Sequence, residues 1–274
     1  MRIAQIILPD ASEYERKCQR VDFAALSAKH DVRVVPADAV GDAQVAHVYA
    51  GRALPASLFR GFPIPYVAAI DIHRSRWILR KPAAPAYVVS PLTEPPGIGR
   101  LQPLPEAVED AYFVEDAHVR QPRGDVRVVG SFARASTRNL VEQTLARIQR
   151  FRADVTWTLF HEPPSPRDLR SVDLWVDPAL SDDDLDGFVA EALVSGIVVA
   201  AAKTSLNRLR LEQNRTGFLV PLNDPNEMTH AILAALFKPE VAEAKMTAAR
   251  QTASKFRPRQ RLRILAHLYE TLIG

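Results

Sequence analysis

The sequence predicts an α/β protein with two domains, each built around a parallel β-sheet. Its 274 residues are enough for two hydrophobic cores. Short apolar, β-branched segments alternate with segments of helical periodicity, which is typical of β-α-β units with parallel strands. A proline-rich stretch at 91–105 separates two such series. We therefore expect one domain over 1–105 and another over 106–274, both shorter than is usual for such folds.

The first domain contains five apolar segments that predict buried parallel strands, at 2–8, 32–36, 45–50, 66–70 and 86–90. Segments near 13–29 and 54–60 lie between these strands and predict crossover helices. The prolines of 91–105 exclude a regular helix or a central strand, because proline cannot donate a backbone hydrogen bond. This stretch is therefore predicted to link the domains.

The second domain contains four further predicted strands, at 126–130, 155–160, 172–177 and 197–202. Helices are predicted at 136–152 and 184–195, and Gly196 is predicted to end the second of them. Asp224 is expected to cap a later helix. The segment 241–273 is predicted to form one basic helix. Its charged face fits either solvent exposure or peripheral contact with an anionic membrane.

The composition excludes several classes of protein. Hydrophobic residues at 47% and charged residues at 24% are typical of a folded globular chain. A net charge of +3 gives no reason to expect nucleic-acid binding. The single cysteine, Cys18, excludes an intramolecular disulfide. No apolar run reaches the roughly 20 residues that cross a bilayer, and Pro9 interrupts the first run. We therefore expect a cytoplasmic protein without a membrane span.

The segment 181–221 carries the most informative pattern. Asp183 is followed after seven residues by Glu191, and then come a strand at 197–202 and the motif Thr-Gly-Phe-Leu-Val at 216–220. This stretch resembles the C-terminal domain of GT-B glycosyltransferases of the retaining family four. The resemblance implies two Rossmann-like domains and the transfer of a sugar from a nucleotide diphosphate sugar to an acceptor.

The resemblance also implies roles for particular residues of the second domain. The family glutamate that matches Glu191 binds the ribose hydroxyls, and the acid that matches Asp183 lies near the donor sugar. Gly130, Arg134 and Arg138 match the family's phosphate-binding loop. Positive charge and backbone N–H groups at a helix start suit a diphosphate, so these three residues are diphosphate candidates.

Asp183 of the second domain is one catalytic candidate. Two residues of the first domain are further candidates. Asp71 and His73 follow a predicted strand, where the family often has a histidine and an aspartate facing the cleft. Histidine has an ordinary pKa near neutral pH and can serve acid/base or hydrogen-bonding chemistry. A polar strand-end loop exposed to solvent is the alternative interpretation.

The loop at 203–208 is expected to contact the donor through Lys203, Thr204 and Ser205, and Asn207 offers a further polar side chain there. The chain departs from the family here, because Ser205 and Leu206 replace two glycines and Leu209 replaces a glutamate. The segment 161–171 also lacks a helix and a strand that the family usually has beside the nucleobase. Two functions therefore stay open: a glycosyltransferase, or a degenerate GT-B module that binds a nucleotide, glycan or protein without turnover.

The acidic run at 182–186 has two interpretations. Paired aspartates can bind a metal ion, and acids also favour the first turn of a helix. The helix interpretation is favoured, since the resemblance implies no metal requirement. We expect no metal and no cofactor, with the nucleotide sugar as substrate and an unidentified glycan or small molecule as acceptor.

Overall fold

The computed structural model describes residues 1–9, 11–36, 38–50, 64–70, 86–90, 101–114, 125–182, 184–185 and 187–274. The chain forms two compact units. The first consists of Met1–Ala107 together with Arg257–Gly274, and the second of Val108–Phe256. Each unit contains a sheet in which every described strand pair is parallel, which confirms the predicted α/β class with two parallel sheets.

The first unit contains six described strands in the order β2-β1-β3-β4-β5-β6. They are β1 (Arg2–Ile7), β2 (Asp31–Val34), β3 (Val45–Ala50), β4 (Tyr66–Ile70), β5 (Ala86–Ser90) and β6 (Leu101–Pro103). The first five coincide with the predicted strands. Helix α1 (Glu13–Leu26) connects β1 and β2. The helix predicted near 54–60 lies outside the described residues.

Strand β6 corrects the prediction that all of 91–105 is a linker. Leu101–Pro103 pairs with β5, from Val88↔Leu101 to Ser90↔Pro103. Proline is tolerated at this position because β6 is the last described strand of the sheet, where a missing N–H leaves no ladder partner unsatisfied. The preceding residues 91–100 lie outside the described part of the chain.

The second unit contains five described strands in the order β11-β10-β9-β7-β8. They are β7 (Arg127–Phe132), β8 (Val155–Phe160), β9 (Leu174–Asp177), β10 (Val198–Ala202) and β11 (Phe218–Val220). Its described α-helices are α2 (Arg138–Gln149), α3 (Pro166–Leu169), α4 (Val189–Val194), α5 (Ser205–Arg210), α6 (Pro225–Phe237) and α7 (Pro239–Thr252). The strand order reverses between β7 and β9. In open α/β sheets, ligands bind at such a switch point, beyond the carboxyl ends of the strands.

Two helix ends in this unit have the predicted chemistry. The Asp224 carboxylate accepts hydrogen bonds from the backbone N–H groups of Asn226 and Glu227, both at 3.0 Å, and so caps α6. Gly196 follows α4 with φ of 72°, a conformation that favours glycine. Both ends are set by local sequence.

The end of the chain differs from the single helix predicted at 241–273 within the second domain. Helix α7 ends at Thr252, and a separate helix, α8, covers Pro258–Ile273. Pro258 starts α8 because proline suits the first turn of a helix and interrupts a preceding one. Helix α8 belongs to the first unit, where Leu265 and Leu268 join the core around Ile3 and Val45. No described helix is long and apolar enough to cross a membrane.

Candidate functional site

The carboxyl ends of β7 and β9 bring Arg134 and Asp177 together at the switch point of the second sheet. Arg134 Nη2 lies 2.5 Å from Asp177 Oδ1 and also donates to the Pro178 carbonyl. The Arg134 side chain is 11% exposed and that of Asp177 is 1% exposed. Such a pair interacts strongly because little water screens it. Its position is the one where this class of sheet binds ligands.

Part of the Arg134 guanidinium remains without a hydrogen-bond partner. Its Nε and Nη1 atoms are buried and make no hydrogen bond within the described residues. Buried polar groups in folded proteins are nearly always hydrogen-bonded, so an exception needs an explanation. A planar guanidinium with free N–H groups is suited to bind phosphate or carboxylate oxygens. Arg134 is therefore the strongest anion-binding candidate in the described part of the second unit.

Asp177 is itself fixed by a second polar side chain, Asn207 of α5. Asn207 Nδ2 donates to Asp177 Oδ2 at 2.6 Å and to the Ala202 carbonyl at 3.0 Å. The Asn207 side-chain oxygen accepts from Arg210 Nη1 at 3.1 Å. Asp177, Asn207 and Arg210 are all buried. A continuous polar network thus joins the ends of β7 and β9 to α5.

Glu191 lies on α4, and the turn before this helix packs against Asp177. Trp175 Nε1 donates to the Gly187 carbonyl at 2.6 Å, and a Cβ on Gly187 would lie 2.2 Å from Asp177 Cγ. Phe188 has φ of 51°, a left-handed conformation that is unusual for an aromatic residue. Such backbone strain occurs often at binding sites. Glu191 follows three residues later and is 1% exposed.

The predicted donor loop forms the start of α5. Thr204 caps this helix by accepting from the Asn207 N–H at 3.0 Å. The Ser205 N–H donates to the Asp182 carboxylate, and Ser205 Oγ donates to Asp182 Oδ2 at 2.6 Å. Lys203 is exposed. Thr204 and Ser205 therefore hold the local backbone, and Lys203 is the residue of the three whose side chain faces solvent.

The acidic run differs from the favoured helix interpretation, because α4 begins only at Val189. Asp182 binds Ser205, and Asp184 Oδ2 accepts from the Leu180 N–H at 2.9 Å. These two acids cap backbone groups instead of opening a helix. No group of three potential His, Cys, Asp or Glu metal ligands occurs among the residues that the structure describes.

Gly130 and Arg138 do not join Arg134 in one loop. Gly130 lies inside β7, where a Cβ would approach Val172 Cγ1 to 2.8 Å. Its role there is close packing within the core. Arg138 opens α2 with a 77% exposed side chain that pairs with Glu142 at 3.2 Å. The strand predicted at 126–130 ends too early, since Ser131 and Phe132 continue the ladder with β8.

The three predicted catalytic residues, Asp71, His73 and Asp183, lie outside the described residues and stay predictions. Asp177 was missed from the sequence, and Asn207 was expected to contact the donor and not to bind Asp177. The signal for Asp177 was an acid at the carboxyl end of a buried apolar strand. Asn207 has no comparable local signal, since its partner is 30 residues away in the sequence.

Comparison with known proteins supports the fold. No family model and no curated protein sequence matches the chain. Anabaena HepE, solved with UDP-glucose, superposes with a TM-score of 0.74 at 13% identity, covering 98% of this chain and 100% of HepE. Sucrose-phosphate synthase from Thermosynechococcus elongatus gives 0.70 at 12% identity, covering 99% of both chains.

A glycosyltransferase from Rickettsia africae is also similar, with a TM-score of 0.66 at 12% identity, covering 100% of this chain and 98% of that one. These likenesses extend over nearly the full length of each chain, and the TM-scores establish the fold. The predicted resemblance to GT-B enzymes is confirmed at that level: the protein has the GT-B fold.

Proposed function

We propose that the protein is a glycosyltransferase that moves a sugar from a nucleotide diphosphate donor to an acceptor. The observation that carries this proposal is the buried Arg134 guanidinium, with Nε and Nη1 unpaired among the described residues, at the switch point of a GT-B sheet. A donor diphosphate supplies the oxygens that these N–H groups lack. Because HepE was solved with UDP-glucose, UDP-sugars are the first donors to test.

The proposed chemistry depends on stabilising the leaving diphosphate. Cleavage of the bond between sugar and phosphate develops negative charge on the phosphate oxygens and positive charge on the sugar. A fixed guanidinium in a buried position stabilises the first of these charges. In this proposal Arg134 binds the diphosphate and Glu191 accepts hydrogen bonds from the ribose hydroxyls. Asp183 lies near the donor sugar, and Asp71 and His73 are candidates for acid/base chemistry.

We further propose that the reaction needs no metal ion. Asp182 and Asp184 are the described members of the acidic run, and both bind backbone N–H groups. Both carboxylates are therefore engaged in capping backbone groups. Donor turnover that persists in excess EDTA is the expected result. Turnover abolished by EDTA and restored by Mg²⁺ or Mn²⁺ would contradict metal independence.

A second candidate function is a GT-B module that binds without turnover. The observation that favours it is the Asp182 carboxylate, which accepts hydrogen bonds from the Ser205 N–H and Oγ at the start of α5. A negative charge at this place opposes a donor phosphate beside it. The module hypothesis predicts nucleotide binding without hydrolysis or transfer.

The experiment that tests both functions combines a thermal-shift screen with a turnover assay. A ligand at about 100 times its Kd adds about 2.7 kcal/mol to the free energy of unfolding, which raises Tm by several degrees. UDP, other nucleoside diphosphates and their sugar conjugates are screened against the wild type, Arg134→Gln and Glu191→Gln. Arg138→Gln is the matched control, because the Arg138 side chain is exposed and pairs with Glu142 and not with Asp177.

The enzyme proposal predicts that one nucleotide class shifts the wild type and the Arg138→Gln control, and that both site variants lose the shift. It also predicts slow hydrolysis of the matching sugar conjugate. Binding without any hydrolysis or transfer supports the module. A wild type whose Tm no nucleoside diphosphate raises contradicts donor binding, on which the enzyme and the module hypotheses both depend.

A further inference from the structure

Asp177 is a buried acid that the proposed transfer reaction does not itself require. It contacts Arg134, and nothing in the family resemblance assigns it a role. We propose that Asp177 is a positioning residue for donor binding: it fixes the Arg134 guanidinium through Nη2, so that Nε and Nη1 are held ready for the oxygens of a diphosphate. This inference rests on the proposed function and specifies how the same site works.

The geometry at Arg134 supports a positioning role. Nη2 donates to Asp177 Oδ1 at 2.5 Å and to the carbonyl of the next residue, Pro178. Two acceptors on one nitrogen define both the place and the plane of the guanidinium. An arginine side chain is otherwise flexible and loses much conformational freedom when it binds a ligand. Fixing it beforehand lowers that entropic cost of binding.

Asp177 is able to fix Arg134 because it is itself immobile. Its Oδ2 accepts from Asn207 Nδ2 at 2.6 Å, and Arg210 Nη1 in turn holds the Asn207 side-chain oxygen at 3.1 Å. On another side, Gly187 packs so closely that a Cβ there would meet all three atoms of the Asp177 carboxyl group at 2.2–2.4 Å. The carboxylate thus has a hydrogen-bond donor for each oxygen, and the Gly187 backbone packs against it.

The same contacts couple the two proposed halves of the donor site. Gly187 begins the turn that leads through Phe188 into α4, which carries Glu191. Asp177 therefore touches both the arginine proposed for the diphosphate and the turn that places the glutamate proposed for the ribose. If Asp177 has only a structural role, replacing it weakens binding of the ribose and of the diphosphate equally. If it positions Arg134, replacing it weakens binding of the diphosphate most.

The test compares binding of UDP with binding of uridine in the wild type and in Asp177→Asn. Both ligands share the ribose and base, and only UDP reaches Arg134 in the proposed pose. We expect the Kd for UDP to rise about tenfold or more, the loss typical of one charge-assisted hydrogen bond, while the Kd for uridine stays nearly constant. Asp173→Asn is the matched control, since Asp173 directly precedes the other end of β9, where it accepts from the Val128 N–H of β7 at 2.8 Å.

A second readout does not depend on any ligand. The 15Nε–H signal of Arg134, assigned by its loss in Arg134→Gln, should show a high order parameter in the wild type and a clearly lower one in Asp177→Asn. If Asp177→Asn does not fold, Asn207→Ser replaces it. That variant loosens Asp177 without changing charge, and a smaller loss of UDP affinity is expected.

The outcomes separate this inference from the proposed function. Equal weakening of UDP and uridine, or unchanged UDP affinity in both variants, overturns the positioning role. A wild type that does not bind UDP contradicts the proposed function with this donor, and the Arg134 order parameter then decides the positioning role. An order parameter that stays the same in Asp177→Asn overturns it.

Discussion

Arg261 and Asp22 form a bidentate ion pair inside the first unit. Arg261 Nε donates to Asp22 Oδ1 at 2.6 Å and Nη2 donates to Oδ2 at 2.7 Å, and the side chains are 3% and 0% exposed. The pair joins the last helix, α8, to α1 across most of the sequence. It explains in chemical terms why α8 belongs to the first unit and not to the unit that precedes it along the chain.

Breaking this pair is expected to destabilise the protein strongly. Arg261→Met leaves the Asp22 carboxylate buried without its cation, which typically costs about 3–5 kcal/mol of unfolding free energy. Denaturant unfolding monitored by circular dichroism measures the change. Arg263→Met is the control on the exposed face of α8 and should alter stability by no more than about 0.5 kcal/mol. Similar losses in the two variants would contradict the assigned role of Arg261.

His47 makes the stability of the first unit depend on pH. The ring is buried, with Nδ1 2.6 Å from Tyr269 Oη and 3.2 Å from Tyr49 Oη, and Asp22 and Arg261 are its charged neighbours. Burial lowers the pKa of His47 from 6.5 to about 4. Below pH 6.5 the unfolded chain therefore binds a proton that the folded chain does not, and stability falls as the pH falls.

This loss should amount to roughly 3 kcal/mol between pH 6.5 and pH 4, because each pKa unit corresponds to about 1.4 kcal/mol. The measurement is the unfolding free energy of the wild type and of His47→Gln across that range. The difference between them should narrow on acidification, whereas exposed His267→Gln should follow the wild type. A constant difference between wild type and His47→Gln would refute the buried, neutral state of His47.

Cys18 is predicted to be unreactive in the folded protein. It is buried in α1, and burial raises the pKa of its thiol to about 11. Only about one thiol in a thousand is then ionised at pH 8, and thiolate is the reactive form. An aromatic disulfide reagent should label the cysteine at the rate of unfolding and rapidly in denaturant. Fast labelling of the native protein would show that the site is open.

The turn after α5 contains three consecutive residues in the left-handed region, Glu212, Gln213 and Asn214, with φ of 47°, 56° and 80°. Lys245 Nζ holds this turn by donating to the Asn214 carbonyl at 2.5 Å and to the Gly217 carbonyl at 2.9 Å. A residue with a Cβ costs about 1–2 kcal/mol in this conformation, which glycine adopts freely.

Gln213→Gly is therefore expected to stabilise the protein by up to about 1 kcal/mol, after the extra freedom of glycine in the unfolded chain is counted. Gln251→Gly is the matched control, because Gln251 lies in helix α7, where glycine costs about 1 kcal/mol. Melting curves of both variants measure the effect. Destabilisation of equal size at both positions would mean that the turn does not carry the strain.

Most strands and helices were predictable from the sequence, whereas their long-range contacts were not. Strands such as β3 and β10 are largely apolar segments, and the cap of α6 is specified by consecutive residues. The start of α4 was predicted too early, since acids favour a helix start but Phe188 adopts a left-handed turn at its entrance. The apolar period of α8 predicted a helix without indicating which sheet it covers.

The candidate site shows the same division. Arg134 and Glu191 were predicted from the family pattern, which is local in sequence, and their donor-binding roles stay predictions. Asp177 and its contacts with Arg134 and Asn207 were missed because they join segments that meet only in the folded chain. Gly130 was assigned to a loop because glycine is common in phosphate-binding loops, whereas here it gives room for Val172 inside the core.

A crystal structure of the protein with UDP bound would test the proposed donor site directly. We expect diphosphate oxygens within about 3 Å of Arg134 Nε or Nη1, with the Arg134–Asp177 pair intact, and ribose hydroxyls donating to the Glu191 carboxylate. UDP bound elsewhere, or in the same sheet edge with its phosphates away from Arg134, would contradict the proposed donor site.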